Sequence, residues 1–353
     1  MDADSMREGR RLTARVADAL SAAGVARHFV PARWGGREAG FTELTETVMD
    51  MAHACASTAW CAALYAAHSR LAAFMPEQGQ RQIWGEGPDV RIAAAVMPPR
   101  GRAVRVPGGW ELTGTWSYAS GVDHAHWVLL AAPIGPEREP HVLAVPRSQL
   151  TVHHTWDTLG MRGTGSNSVE ADALFVADEL TCTMADLHRA PATAAACYRV
   201  PVALVAGLQF AAPIVGAAQA AEMTFLRFWS HRGSPDGAAV ALPSAVQQTV
   251  SEASAAVSAA SLLLREAARR ADACVTSPLH IARNQQHLAY AAHSCARAVD
   301  QLFRASGSRA MANDDPLQAI WRDVTAAASH VTLDPAAAAA AYAAAVLGPE
   351  GAR

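Results

Sequence analysis

Not one of the 353 residues is lysine; the 29 basic side chains other than histidine are all arginine. Without an ε-amine the chain cannot form an internal Schiff base to pyridoxal phosphate, run lysine-based aldol chemistry, or place a P-loop lysine on nucleotide phosphates. Pyridoxal enzymes and Walker-type NTPases are thereby excluded. The six cysteines, Cys55, Cys61, Cys182, Cys197, Cys274 and Cys295, form no CxxC pair and lie in apolar or alanine-rich surroundings. They read as buried thiols of a reducing compartment. HExxH is missing and His153-His154 is adjacent rather than spaced i, i+4, so no metal motif is present. A GxSxG elbow and a GxGxxG after a strand are also absent, which removes the usual signs of an α/β-hydrolase and of a built-in NAD(P)H site.

Strong charge of either sign is lacking too. The net charge is −3 with both signs spread along the chain, so neither nucleic acid nor an anionic membrane is an expected partner. Residues 1–11 are polar rather than signal-like, and the apolar stretch 336–347 is too short and alanine-rich for a span. The expectation is a cytoplasmic protein. What is abundant is alanine, 81 residues. The alanine excess and the lysine gap together read as GC-rich coding bias rather than selection for function.

Apolar residues recur at helical spacing over residues 5–26 and 41–74, with a break at Pro31-Ala32-Arg33-Trp34-Gly35-Gly36. Between residues 91 and 176 the texture changes to short β-rich runs, at 91–97, 103–106, 110–116, 127–133, 141–145 and 168–176, and Pro107-Gly108-Gly109 sits where a hairpin turn belongs. Beyond Asp186 helical patterns return at 192–231, 243–273, 278–306 and 316–345. The expected class is α+β: an N-terminal helical domain (1–90), a central antiparallel β-domain (91–185) and a C-terminal four-helix bundle (186–353).

Three segments could carry chemistry. Gly160-Met161-Arg162-Gly163-Thr164-Gly165-Ser166-Asn167-Ser168, preceded by Trp156-Asp157-Thr158-Leu159, offers amides, hydroxyls and an indole to a flat heteroaromatic, or is simply a polar loop between strands. In Gly114-Thr115-Trp116-Ser117-Tyr118-Ala119-Ser120-Gly121, strand period places Trp116, Tyr118 and Ser120 on one face, which lines a ring-shaped ligand or belongs to the core. Near the C-terminus, Trp321-Arg322-Asp323-Val324 leads to His330, with Arg322, Ala326 and His330 on one helical stripe. His330 and His68, each in an alanine-rich run, are either functional or tolerated packing residues.

Taken in register, these segments resemble the acyl-CoA dehydrogenase fold over about residues 27–347. More narrowly they are similar to its monooxygenase branch, the oxygenase components of two-component flavin hydroxylases such as 4-hydroxyphenylacetate hydroxylase, dibenzothiophene monooxygenase and actinomycete polyketide hydroxylases. The resemblance implies reduced FMN or FAD, delivered by a separate NAD(P)H-dependent flavin reductase, together with O₂ and a homotetramer. It implies hydroxylation of a small aromatic or polyketide-type substrate in secondary metabolism, of the kind found in antibiotic biosynthesis.

The resemblance also implies roles. Trp116, Tyr118 and Ser120 lie along the flavin, with the Ser120 hydroxyl near its C4a/N5 edge. Trp156 packs on the flavin, and Ser166 and Ser168 supply polar contacts. Arg232 resembles an arginine that meets flavin phosphate from a neighbouring subunit, and Arg309-Ala310 a further flavin-contacting stretch. His330 matches an active-site histidine that donates to a C4a-hydroperoxide; His68 matches a substrate-side histidine able to deprotonate a phenol. The chain departs from the family at Ala319, where arginine is common, and in a clipped N-terminal helix. Rival readings are an acyl-CoA dehydrogenase proper, whose Tyr-Glu-Gly-type base segment is replaced here by Met311-Ala312-Asn313-Asp314-Asp315-Pro316, an N- or S-oxygenase of the same fold, and a non-catalytic scaffold.

Overall fold

A computed structural model describes residues 2–135, 137–230 and 243–348. The helices are α1 (Asp2–Gly9), α2 (Ala14–Ala22), α3 (Phe41–Ala54), α4 (Ala56–Ala72), α5 (Glu77–Trp84), α6 (Ala196–Arg199), α7 (Val202–Val205), α8 (Leu208–Ser230), α9 (Ser244–Asp272), α10 (Pro278–Ala305), α11 (Pro316–Ala328) and α12 (Pro335–Leu347). The strands are β1 (Ile92–Ala95), β2 (Arg102–Val106), β3 (Gly109–Ala119), β4 (Trp127–Ile134), β5 (Glu139–Pro146), β6 (Thr151–His153), β7 (Asn167–Ala177) and β8 (Thr181–Thr183). The α+β class and the order helices, sheets, helices agree with the sequence reading. Two compact units form, and they do not follow chain order.

The first unit takes Met1–Gly40, Trp60–Asp157 and Arg162–Val202. Its eight strands make two four-stranded sheets, ordered β1-β4-β5-β8 and β2-β3-β7-β6. Pairing is antiparallel, as expected, except between β1 and β4, which run parallel. Residues 128–132 of β4, Val-Leu-Leu-Ala-Ala, are all buried, as a strand covered on both faces requires. The β2–β3 hairpin closes through Pro107-Gly108, with Gly108 at φ +80° where a side chain would be strained. Trp84, Trp116, Leu112, Leu129 and Leu130 fill the core of this unit. Two strands escaped the sequence reading, β6 and β8, each three residues long and too short to show periodicity.

The second unit takes Phe41–Ala59, Thr158–Met161 and Ala203–Arg353. Here α3 packs on α8 and α9, and α10 packs on α8, α9, α11 and α12. Along α9 the buried residues Ala253, Val257, Ala260, Leu264, Ala267 and Ala271 recur at alternating spacings of four and three. That is the heptad seam of a bundle, here built largely from alanine, which lets helix axes approach closely. The approach of α3 to α8 is closer still at Gly216, where a Cβ would stand 2.3 Å from the Met49 carbonyl oxygen.

Three helices share one start signal, a side-chain cap followed by proline: Ser277-Pro278 for α10, Asp315-Pro316 for α11 and Asp334-Pro335 for α12. The third signal corrects the sequence reading of one helix over 316–345. The chain leaves α11 after Ala328, turning to extended backbone at His330, and Asp334-Pro335 starts α12 anew. The helix expected over 192–231 likewise begins only at Leu208, after the short turns α6 and α7. By length and composition alone the helical stretch Val202–Ser230 is apolar enough to cross a membrane, and most of it is buried within the protein.

Asn284 of α10 is fully buried, and its amide donates to the carbonyls of Leu204 and Ala267, both at 3.1 Å, while accepting from Arg270 at 2.6 Å. Replacing it by leucine removes all three bonds, leaving Arg270 its pairing with Glu266. Asn284→Leu is expected to cost about 3 kcal/mol, read from the urea midpoint; an unchanged midpoint would show that the amide does not hold these elements together.

Candidate active site

In the first unit, strand β3 leaves the core and returns to it within five residues. Trp116 is 1% exposed, and its indole N–H donates to the Ala131 carbonyl at 2.9 Å. Tyr118 is 72% exposed. Ser120 is buried again. The pairing with β7 explains the alternation: Trp116 opposes Val169 and Ala119 opposes Asn167, so β3 carries one more residue than its partner. This bulge puts Tyr118 in the left-handed region at φ +68° and turns its ring outward. Trp116, Tyr118 and Ser120 therefore do not share a face, and Trp116 belongs to the core.

The Tyr118 ring meets Trp156 edge-on, centroids 6.2 Å apart. Around this pair run two sets of hydroxyls. Ser168 Oγ lies 2.9 Å from Thr155 Oγ1 and donates to Ser117 Oγ at 3.4 Å. Buried behind them, Ser166 Oγ lies 2.7 Å from both Ser120 Oγ and Thr164 Oγ1. Ser120, Ser166, Tyr118, Trp156 and Ser168, named separately from the sequence, thus belong to one unit and are linked by contacts. The backbone is anchored beside them: Tyr65 donates to the Gly121 carbonyl at 2.7 Å, and a Cβ on Gly121 would stand 2.5 Å from that hydroxyl.

His68, in the same unit, is buried on α4. Its Nδ1–H donates to the Ile92 carbonyl at 2.9 Å, since a carbonyl only accepts. The ring's Nε2 is therefore the acceptor nitrogen. Burial drives its pKa down to about 4, against the small opposing effect of that hydrogen bond, and the ring is neutral.

In the second unit, His330 follows α11 rather than lying on it, which corrects the helical-stripe reading; it caps the turn Val331–Leu333. Its Nδ1 accepts the backbone N–H of Thr332 at 3.2 Å, so the proton of the neutral ring sits on Nε2. The ring stacks on Phe210 of α8, centroids 3.7 Å apart at 23°. Burial lowers this histidine also, to about 4. The two histidines thus hold opposite tautomers, His68 offering a lone pair at Nε2 and His330 a donor N–H.

Two sequence motifs meet in this unit. Asp323 Oδ1 accepts the Met161 N–H at 2.6 Å, and Gly160 lies so close to α11 that a Cβ would stand 2.0 Å from the Arg322 carbonyl oxygen. Arg309 lies over the Phe228 ring at 4.0 Å and 3.9 Å from Asp315, while Ala310 is buried. Arg232 lies outside the described residues. Phe210 and Asn167 were missed from the sequence. Asn167 stands within the quoted loop, and Phe210 gave no signal beyond that of an ordinary apolar helix residue.

A flavin ring asks for an open aromatic face and a rim of hydroxyls, and the exposed Tyr118 ring with Trp156, Ser117 and Ser168 could supply both. Comparison with known proteins points the same way. Residues 208–335 match the family "Acyl-CoA dehydrogenase, C-terminal domain". The chain is 30% identical to the flavin-dependent monooxygenase oxygenase subunit HsaA of Rhodococcus jostii (strain RHA1), over 92% of this chain and 89% of that protein. To the oxygenase component of the FADH(2)-dependent resorcinol hydroxylase of Rhizobium sp. (strain MTP-10005) it is 31% identical, over 93% and 86%. Among solved structures, XiaF from Streptomyces sp. in complex with FADH2 and glycerol superposes with a TM-score of 0.91 at 25% identity, covering 98% of this chain and 91% of that one.

The histidine tautomers can be read directly. Long-range ¹H–¹⁵N spectra are expected to show the proton on Nδ1 of His68 and on Nε2 of His330. Because the folded pKa of His68 lies below the ordinary 6.5, its contribution to stability is complete above pH 6.5 and is lost as pH falls towards 4, a loss of about 3 kcal/mol. His68→Asn, which keeps a donor for Ile92, is expected to flatten the fall in urea midpoint between pH 6.5 and pH 4; an unaltered slope would refute the assignment.

Proposed function

Since the chain belongs to the flavin-dependent monooxygenases, among the oxygenase components built on the acyl-CoA dehydrogenase fold, we propose that it hydroxylates a small phenolic or polyketide-type aromatic in secondary metabolism. The observation that carries this reading is the outward-turned Tyr118 beside Trp156 and its hydroxyl rim. Reduced flavin, when bound, supplies the two electrons with which O₂ is split between substrate and water. Reduced FAD or FMN comes from a separate NAD(P)H-dependent reductase. The FADH2 named with XiaF and with the resorcinol hydroxylase favours FAD.

Each residue has a task that follows from its chemistry. Tyr118 and Trp156 hold the ring system, and Ser168 and Ser117 bond its polar edge. Ser120, backed by Ser166, presents a hydroxyl that can donate or accept as the flavin edge requires. His330 presents its Nε2–H as a donor without carrying charge. A neutral donor suits an oxygen-bearing group in a dry site, because it stabilises without delivering a full positive charge. His68 offers Nε2 as the acceptor for a phenolic proton, its ring held by the Ile92 carbonyl. Arg309 and Arg232 serve the flavin phosphate, as forks suited to that geometry. A homotetramer is the proposed assembly.

Geometry favours this reading over that of an acyl-CoA dehydrogenase. In the segment where that enzyme would carry its base, Asp315 is occupied as the cap of α11, accepting the N–H groups of Leu317 and Gln318 at 2.8 and 3.3 Å. A carboxylate spent on a helix start is poorly placed to abstract an α-proton.

With reduced FAD, O₂ and a phenol panel that includes resorcinol, the protein is expected to yield hydroxylated product. Bleaching of bound FAD by an acyl-CoA, with no oxygenation, would overturn the reading. His330→Ala is expected to bind reduced FAD within threefold of the parent while diverting most turnover to hydrogen peroxide. His68→Gln is expected to lower kcat about a hundredfold for a phenol and to spare peroxide formation; unchanged coupling and kcat in both variants would remove the histidines from the chemistry.

A further inference from the structure

Asn167 opens β7 with its side chain buried, 3% exposed. Its amide faces two partners of opposite kind. Nδ2 donates to Asp123 Oδ2 at 2.9 Å, and Oδ1 accepts the backbone N–H of Trp156 at 3.2 Å. Asp123 sits in the turn Val122–His124, and its side chain is 6% exposed. A carboxylate can only accept, so it dictates which end of the Asn167 amide turns towards it. The carbonyl end is thereby aimed at Trp156. A flipped amide would set Nδ2–H against the Trp156 N–H and Oδ1 against the carboxylate, two repulsive contacts in place of two attractive ones.

The room for this arrangement is built in. At Gly165, φ is +52° and a Cβ would stand 2.7 Å from Asp123 Oδ2. His154 Nδ1 lies 3.8 Å from Asp123 Oδ1 and 3.4 Å from Asn167 Nδ2 on the solvent side, with its own ring 63% exposed. The buried carboxylate thus reaches Trp156 through one amide, and the Trp156 ring in turn sets the edge-on contact with Tyr118. None of the roles assigned above uses Asp123 or Asn167.

We propose that Asp123 and Asn167 are positioning residues that aim Trp156 at the flavin and so set the affinity for reduced cofactor. The proposal rests on the reading that Tyr118 and Trp156 face the flavin. Its distinctive content is polarity: what matters is the order acceptor, donor–acceptor, donor from Asp123 through Asn167 to the Trp156 N–H. Asn167→Asp destroys that order by placing two carboxylates together. The exchanged pair D123N/N167D restores a matched chain in a different order, since the amide now at position 123 donates to a carboxylate now at 167, which still accepts from Trp156.

The test is an anaerobic titration of the full-length protein with reduced FAD, followed by tryptophan emission, with the visible circular dichroism of bound oxidised FAD as a second readout. Asn167→Asp is expected to weaken reduced-FAD binding at least tenfold and to change the dichroic band, Asp123→Asn to weaken binding about threefold, and the exchanged pair to return within threefold of the parent with the parental band. If the parent itself fails to bind reduced FAD, the flavin reading falls and the proposal with it. A parent that binds, with Asn167→Asp binding equally well, overturns the proposal alone. Lowered thermal midpoints with unchanged affinity and band would likewise overturn it, since Asp123 and Asn167 would then serve the fold only. Should Asn167→Asp not fold, the exchanged pair decides: weak binding by a folded exchanged pair refutes the relay.

Discussion

One extra residue in β3, between Trp116 and Ala119, decides what the first unit shows to solvent. Strand period would otherwise carry Trp116 and Tyr118 to the same face. With the bulge, the indole enters the core and is fixed by the Ala131 carbonyl, while the phenol two residues later stands outside. A non-glycine residue at positive φ is strained by about 1 kcal/mol, and the cost is borne where the ring is exposed. The anchoring of Trp116 and the exposure of Tyr118 are two results of one irregularity. The serines inherit it, since Ser120 reaches Ser166 only because the strand turns back inward.

The sequence displayed the larger pattern well. Change of texture from period 3.6 to period 2 and back marked the helical and β segments, and proline after a capping residue marked the starts of α10 and α11. Asp334-Pro335 carried the same mark but was hidden by the alanine run that follows it, whose helix propensity is high on either side of the break. The bulge in β3 was invisible because register belongs to a pair of strands, and β7 lies about fifty residues along the chain from β3. For the same reason the face shared by Trp116, Tyr118 and Ser120 could not be read correctly. Ser120, Ser166, Ser168, Tyr118 and Trp156 were found by motif and are joined by geometry; Asn167 stood among them and was passed over, because an asparagine in a turn-rich loop has many local uses.

The absence of lysine leaves its imprint on the interior. Arg70 is buried on α4 and donates to backbone carbonyls, to Cys197 at 2.7 Å and to Val200. Burial lowers its pKa to about 10, which still leaves it charged. The planar fork reaches two carbonyls at once with its charge delocalised, a geometry that a lysine ammonium on its flexible stem does not preset. Alanine performs a parallel service along the α9 seam, where small side chains let helix axes approach closely, as Gly216 does between α3 and α8.

His330 stands on the turn between α11 and α12, where its ring accepts the Thr332 N–H and stacks on Phe210. Its side chain caps the short turn Val331–Leu333 rather than either helix. Side chain and helix starts are therefore separable at this position: the ring can be exchanged, or its neighbour on α8 altered in size, while both helices keep their caps at Asp315 and Asp334. A lineage drifting from one oxygenation to another could explore this joint without first solving a folding problem, and so could a laboratory library aimed at residues 210 and 330.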